Sequence, residues 1–412
     1  MAQVAAQHCP ATGLRVMASK VVPCVPWQVF VGAAVGPAGA VRLHAREFCR
    51  ALSNSIETLV PAAEARQELG ERVRNPVEAP AASEEVHGCL RALLRRLEPE
   101  RGTSAAGDRG ASVAGAAWCQ EASEAVSYLL AADVPARLVT CLGALDFEAR
   151  KDAMRLFGKV LYLGADGKVI EYVRSHPRLL QLLLADSGSP EVFSHCAQML
   201  RYCTRYPQLV EALHRQGAAL RFIDLAKHES FDVSSEAFSS LRELLLAHKA
   251  VSATYLEANF KDCFEHFNTL LQVNNYVTQR QALRLLNEVL LDRSFMEVMV
   301  AYVCNEQFLQ IHMNLLRDVS KAIQFEAFHI FKIFVANPNK PHRVQLILFR
   351  NRERLLRLLE TFNLLTRESD ASFLQDLRTV IDVLQALETP KRPRPRSPAP
   401  ASVQTDNMVL VA

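Results

Sequence analysis

Three side chains in one greasy segment could do acid/base chemistry. In IQFEAFHIFKIFVANPNK (323–340), Glu326, His329 and Lys332 interrupt a run of aromatic and aliphatic residues that Asn337-Pro338 then stops. A carboxylate, an imidazole and an amine three residues apart fall on one side of a helix, close enough to share a proton. Catalysis needs more, namely a nucleophile, a phosphate loop or an electrophilic partner. The chain has no GxxxxGK[ST], GxGxxG, GxSxG or HExxH, no kinase motif set and no acidic loop at EF-hand spacing. Asp166-Gly167 is a turn signal, well short of a calcium loop. The ten cysteines form no CxxC pair and have no histidines at zinc spacing, so they read as reduced core thiols, and the expected compartment is the cytoplasm. No catalytic residue, metal site or cofactor is assigned.

The elements that carry these residues repeat. RKDAMRLFGKVL, SHCAQMLRYCT, SSEAFSSLRELLL, QRQALRLLNEVLL and QFEAFHIFKIFVA align on Ala153, Cys196, Ala237, Ala282 and Ala327, spaced 43, 41, 45 and 45 residues apart. Four positions on, each has a large apolar residue: Phe157, Leu200, Leu241, Leu286 and Phe331. A small residue where helices cross, flanked by large apolar ones, suits stacked helices, and the period is that of armadillo and HEAT repeats. Helix starts are signalled by Ser189-Pro190 and by the capping-box spacing Thr278–Gln281. Strand signals are nearly absent over 117–388. The predicted fold is all-α: an armadillo/HEAT-like α-solenoid of stacked repeats with disordered termini.

In that register, positions −1, +2 and +5 from each anchor form a polar stripe: Asp152/Arg155/Gly158, His195/Gln198/Arg201, Glu236/Ser239/Arg242, Gln281/Arg284/Asn287 and Glu326/His329/Lys332. The Glu–His–Lys set is therefore one rung of a solvated stripe rather than a triad. Arg155, Arg201, Arg242, Arg284 and Lys332 bias the stripe to positive charge. Two readings stay open: a ladder of cations for an acidic partner, or an ordinary wet face. The whole chain is near charge balance, +3 from 47 basic and 44 acidic residues, which argues against bulk nucleic-acid binding. Arg350, Arg354 and Arg357 form a second basic cluster at helical spacing.

The domain reading follows. Residues 1–82 are a divergent, partly disordered extension with a helix over 46–72, and 83–388 form the repeat domain, with helices at 83–98 and 370–388. A small-residue loop is expected at about 100–116, and 389–412 is a disordered Pro/Arg-rich tail. The charge-free run at 21–41 is long enough to span a bilayer, but three prolines and three glycines break it, so a disordered extension is preferred to an anchor or transit peptide.

Four blocks resemble the calcium-binding protein 39 family, also called the Mo twenty-five (Mo25-like) scaffold proteins: FDVSSEAFSSLRELLLAHK (231–249), NNYVTQRQALRLLNEVLLDR (274–293), MNLLRDVSKAIQFEAFHIFKIFVANPNK (313–340) and the helix near 350–359. The likeness is dense over 229–360, weaker back to LDFEARKDAMRLF, and faint near 83–98. It implies a rod-like, non-enzymatic scaffold that binds and activates sterile-twenty-class kinases or pseudokinases, in STRAD/LKB-type or NDR-type signalling and cell polarity. The family's concave face holds the kinase domain, and a pocket towards the C-terminal end takes an aromatic-acidic Trp-Glu-Phe-type tail. Carried over by motif, the kinase-domain contacts are Phe231, Tyr276, Arg280 and Arg284, the last usually Lys in the family. The tail pocket is Arg293, Met296, Met313, Arg350 and Arg354. Met296 stands where a Phe is usual, with Phe295 one place earlier, which puts strict Trp-Glu-Phe selectivity in doubt. No nucleic acid and no membrane are expected as partners. The alternative is a helical-repeat adaptor for acidic peptides or RNA, unrelated to kinase activation.

Overall fold

At the anchor positions the chain has almost no side chain to place between helices, and that decides how the helices stack. In the computed structural model, Ala153, Ala237, Ala282 and Ala327 are fully buried and Cys196 nearly so, each with its +4 partner buried beside it. The structure describes residues 45–68, 80–98, 108–164, 167–185, 189–365 and 371–389. Among these there are nineteen α-helices, two short 3-10 turns and no strand.

Five units of three helices form the body. Each opens with a long helix carrying an anchor: α5 (Phe147–Leu163), α8 (Pro190–Cys203), α11 (Phe231–Leu246), α14 (Tyr276–Leu290) and α17 (Lys321–Ala336). Two further helices follow each: α6 (Lys168–Ser175) and α7 (Pro177–Leu184), α9 (Pro207–Arg215) and α10 (Ala218–Leu225), α12 (Lys249–Ala258) and α13 (Phe260–Leu270), α15 (Met296–Val303) and α16 (Glu306–Leu315), α18 (His342–Leu365) and α19 (Ala371–Gln385). The long helices pack in one continuous row from α5 to α17, while α6, α9, α12 and α15 pack in a second. Each unit therefore completes its neighbour's core, which is how a solenoid closes its apolar faces. A fully buried Leu or Phe in this core contributes roughly 2–3 kcal/mol.

The N-terminal boundary differs from expectation. Helix α1 (Ala45–Glu68), read from sequence as part of a divergent extension, packs on α2 (Pro80–Arg96), α3 (Asp108–Ala131) and α4 (Val134–Cys141). It buries Cys49, Leu52, Ile56 and Leu59, and α2 continues the long-helix row onto α5. The loop expected at about 100–116 is also corrected: from Asp108 onward the chain is already helical. Its glycines cost about 1 kcal/mol each, but the alanines between them are the best helix formers, and elongation ahead of the apolar helix at 118–131 needs no new nucleus. At the other end, α19 buries Phe373, Leu377, Val380 and Leu384, as its spacing predicts. The expected cap of α14 moves: Asn275, not Thr278, accepts from the Val277 and Thr278 amides at 3.0 and 3.2 Å. Thr278 is buried inside the helix instead. The run at 21–41, residues 100–107 and the tail from 390 lie outside the described residues.

Among the described residues no single helix is long and apolar enough to cross a membrane, and only the bent pair Trp118–Ala131 and Val134–Ala144 passes by length and composition. No three His, Cys, Asp or Glu side chains there form a metal-binding group. The eight described cysteines are free thiols, and burial pushes Cys49, Cys141, Cys196 and Cys203 up to about 12.

Candidate functional site

The polar stripe is a solvent-exposed face laced with ion pairs, most of them made to another helix. Arg201 of α8 pairs with Glu236 of α11. Arg242 of α11 holds Glu288 of α14 through Nη2 at 2.8 Å and Nε at 3.0 Å. Glu326 of α17 accepts from Asn287 Nδ2 at 3.3 Å and lies 3.9 Å from Arg284 Nε. Lys332 of α17 pairs with Asp376 of α19. At the N-terminal end, Asp152 sits between His87 of α2 at 3.4 Å and Arg155 at 3.2 Å. So the cations that repeat along the stripe already have carboxylate partners. The reading of Glu326, His329 and Lys332 as one rung holds in register, but Glu326 joins α17 to α14 of the preceding unit, Lys332 ties α17 to α19 of its own unit, and the His329 ring packs edge-on against Phe373. Glu288 and Asp376 were invisible to the stripe because they sit outside its register. For Glu288 the signal was its place one helical turn beyond Arg284.

The four groove residues fall on two facing rows. Tyr276, Arg280, Arg284 and Glu288 recur every four residues along α14, and Arg280 Nη1 lies 3.5 Å from the Tyr276 hydroxyl. Phe231 opens α11, 65% exposed, and Ser235, Ser239 and Arg242 follow down the same side. Between these rows the helices part into a cleft of about 240 Å³, lined by Ser235, Phe238, Ser239, Arg242, Gln281, Arg284, Leu285 and Glu288. Arg284 thus reaches the cleft, while Phe231, Tyr276 and Arg280 occupy the N-terminal ends of the helices beside it.

The second candidate region lies on α14 to α18. Asp292 caps the turn Arg293–Phe295 through the Ser294 amide at 2.9 Å, and accepts Lys249 Nζ at 2.6 Å. The bond from Lys249, helped by that from Ser294, holds its carboxyl down at about 2, and its neighbour Arg293 is exposed, with no ion pair among the described residues. The turn sends Phe295 into the core, fully buried, and leaves Met296 half exposed. Phe295 therefore does not stand in for the missing aromatic. Met313 is on α16, which packs against both α15 and α18, and is 9% exposed. Arg350 and Arg354 are exposed on α18, again with no ion pair among the described residues. Glu306 is instead held by Arg343 at 2.7 Å, a hydrogen bond that lowers its carboxyl pKa.

His312, next to Met313 in the chain, belongs to a buried polar cluster. Tyr302, fully buried, donates to Asn268 Oδ1 at 2.9 Å, and His312 Nε2 lies 2.9 Å from the same phenol oxygen. With the phenolic proton committed to Asn268, the imidazole must donate through Nε2. Burial drives the His312 pKa down to about 3 and that of His214, stacked on Tyr255, to about 4. Neither faces a cleft. One Ser–His–Asp grouping does occur, at Ser175, His176 and Asp133. There His176 Nδ1 is 3.2 Å from the Ser175 hydroxyl, but it is also 2.7 Å from the Tyr172 carbonyl, to which Ser175 itself donates at 2.9 Å, so that nitrogen carries the proton and cannot accept one from the hydroxyl. It closes a helix end.

A family model described as Mo25-like matches residues 107–388. Among curated proteins the chain is similar to the degreening-related gene dee76 protein of Auxenochlorella protothecoides, at 39% identity over 63% of this chain and 80% of that one. It is 37% identical to a calcium-binding protein 39-like protein of Mus musculus, over 61% of this chain and 75% of that one. A Mo25-like protein of Schizosaccharomyces pombe is also 37% identical, over 62% of this chain and 78% of its own length. With more than half of its residues inside the family match, the chain belongs to the Mo25-like family.

Proposed function

We propose that this protein is a non-enzymatic cytoplasmic scaffold that binds and activates sterile-twenty-class kinases or pseudokinases. The long-helix row between α11 and α14 receives the kinase domain through Phe231, Tyr276, Arg280 and Arg284. Arg293, Met296, Met313, Arg350 and Arg354 receive an aromatic-acidic tail. The observation that carries this reading is the distribution of unspent charge. Along the stripe each cation has a carboxylate within ion-pair distance, whereas Arg293, Arg350 and Arg354 are exposed and unpaired among the described residues, beside helices that expose Met296 and edge Met313. A short acidic peptide with apolar anchors suits that combination, because its carboxylates pair with the arginines while its rings bury against the methionines. The self-neutralised stripe weighs against the RNA adaptor, which needs free cations along a continuous track.

Mechanistically, the tail tethers the kinase and raises the local concentration of its domain at the groove, so a weak second contact suffices. Activation then requires only that the groove bind the active conformation better than the inactive one. The test is reconstitution with a purified kinase of this class carrying such a tail. Stimulated phosphotransfer that is lost when the tail is deleted supports the proposal. No binding and no stimulation, with RNA alone retained by the chain, defeats it.

A further inference from the structure

We propose that the edge formed by the C-terminal ends of α2, α5 and α8 is a docking surface for an acidic segment of a partner protein. These helices run parallel: Ser83 and His87 of α2 meet Asp146 and Asp152 of α5, and Phe147 and Gly158 of α5 meet His195 and Tyr202 of α8. The edge is separate from both regions above, because Phe231 and Tyr276 open α11 and α14 at the opposite helix ends and Arg293 lies beyond α14. Its charge is of one sign. Residues 86–97, 153–163 and 192–206 contain seven Lys or Arg and no Asp or Glu. Three of these cations are paired from elsewhere: Arg96 with Glu121 at 2.9 Å, Arg155 with Asp152 at 3.2 Å and Arg201 with Glu236. Arg91, Arg95, Lys159 and Arg205 have no ion pair among the described residues. Two exposed carboxylates lie at the margins, Glu98 just past α2 and Glu243 on α11, so four free cations face two anions. The register in which Tyr202 meets Gly158 and Glu288 meets Arg242 turns Glu243 towards Arg201.

Tyrosines hold two of the free cations in place. Lys159 Nζ lies 5.8 Å from the centre of the Tyr162 ring, and Arg205 Cζ lies 5.3 Å from that of Tyr202. A guanidinium stacked on a ring keeps its in-plane donors for a carboxylate, and less rotamer freedom is left to lose on binding. Tyr206 has a structural task, since its hydroxyl donates to the Leu161 carbonyl at 3.0 Å and closes the end of α5. Tyr162 is 65% exposed, which gives the edge an aromatic anchor beside its cations. The same rings select against stacked bases. A Cβ on Gly158 would lie 2.6, 2.8 and 3.0 Å from Tyr202 Cε2, Cδ2 and Cζ, the distances of an atom above a ring and not at its rim. So α5 covers one face of Tyr202 and Arg205 the other, while Lys159 covers a face of Tyr162. Single-stranded nucleic acid needs open ring faces, whereas carboxylates need only the free donors. Three adjacent helices span roughly 20 Å, about six residues of extended chain.

The full-length chain is titrated, by fluorescence anisotropy, with a fluorescein-labelled octapeptide of alternating glutamate and leucine. The double variant Lys159→Gln/Arg205→Gln is expected to weaken binding about tenfold and Tyr162→Ala about threefold, while Arg293→Ala leaves it unchanged. Wild-type affinity in the double variant overturns the inference. A loss with Arg293→Ala instead puts the peptide in the tail pocket, which overturns the edge and leaves the pocket reading standing. Cations near helix ends also stabilise their own helices, so a lowered melting temperature with unchanged peptide affinity assigns Lys159 and Arg205 to that task and overturns the docking surface. Tighter retention of a twelve-nucleotide uridine RNA than of the peptide, lost in the same double variant, makes the occupant a nucleic acid and overturns it as well.

Discussion

Replacing His312 by leucine removes a titration that the fold suppresses. The imidazole is fully buried on α16, with Tyr302 and Phe334 around it and its Nδ1 without a hydrogen-bond partner among the described residues. Burial lowers its pKa from 6.5 to about 3. The unfolded chain therefore takes up the proton first as pH falls, so the stability that goes with the neutral ring is complete above about 6.5 and lost progressively below it. Between pH 7 and pH 5 the unfolded imidazole goes from mostly neutral to almost wholly charged while the folded one stays neutral. That difference amounts to about 2 kcal/mol of unfolding free energy at 1.36 kcal/mol per unit. Leucine is close to histidine in volume, and Tyr302 keeps Asn268 as its acceptor. The assay is urea unfolding followed by circular dichroism at several pH values, for wild type and His312→Leu. Subtraction cancels every other titrating group, and wild type is expected to lose about 2 kcal/mol relative to His312→Leu from pH 7 to pH 5. Parallel curves over that range would refute the buried neutral histidine and the polar cluster it forms with Tyr302 and Asn268.

Three further outcomes follow from the same geometry. Arg293→Ala is expected to lower affinity for an aromatic-acidic tail peptide about tenfold by fluorescence anisotropy without changing the melting temperature, because the arginine is exposed and unpaired; unchanged affinity there and in a folded Met313→Ala variant removes the pocket assignment. Arg280→Ala is expected to reduce kinase activation while sparing tail binding, and equal activation by variant and wild type counts against its role. Ala327→Leu puts three more carbons into a fully buried helix crossing and is expected to cost about 1–3 kcal/mol in chemical denaturation; a wild-type midpoint would mean that Ala327 is not a packing anchor.

Much of the architecture was legible in a single sequence because stacked repeats write the same physics five times. Ala153, Cys196, Ala237, Ala282 and Ala327 announce the crossing point, and Phe157 to Phe331 announce the buried face, since periodicity depends only on residues a few positions apart. The same local logic found α19 and the polar rung at Glu326, His329 and Lys332. It missed helical residues 108–116, where glycine outweighed alanine in the reading, and it placed α1 outside a core that its Cys49, Leu52, Ile56 and Leu59 help to form.

Which charges are free was decided only by the tertiary structure. A basic residue looks alike in sequence whether a neighbouring helix supplies a carboxylate or not, and the partners here lie about forty residues away: Glu288 for Arg242, Glu326 for Arg284, Asp376 for Lys332. The cleft between α11 and α14 has the same origin, because a gap between helices belongs to a pair of faces and to neither alone. Sequence by itself determined that helices would stack and where they would cross. The stacking then determined which side chains spend their charge on each other and which keep it for a partner.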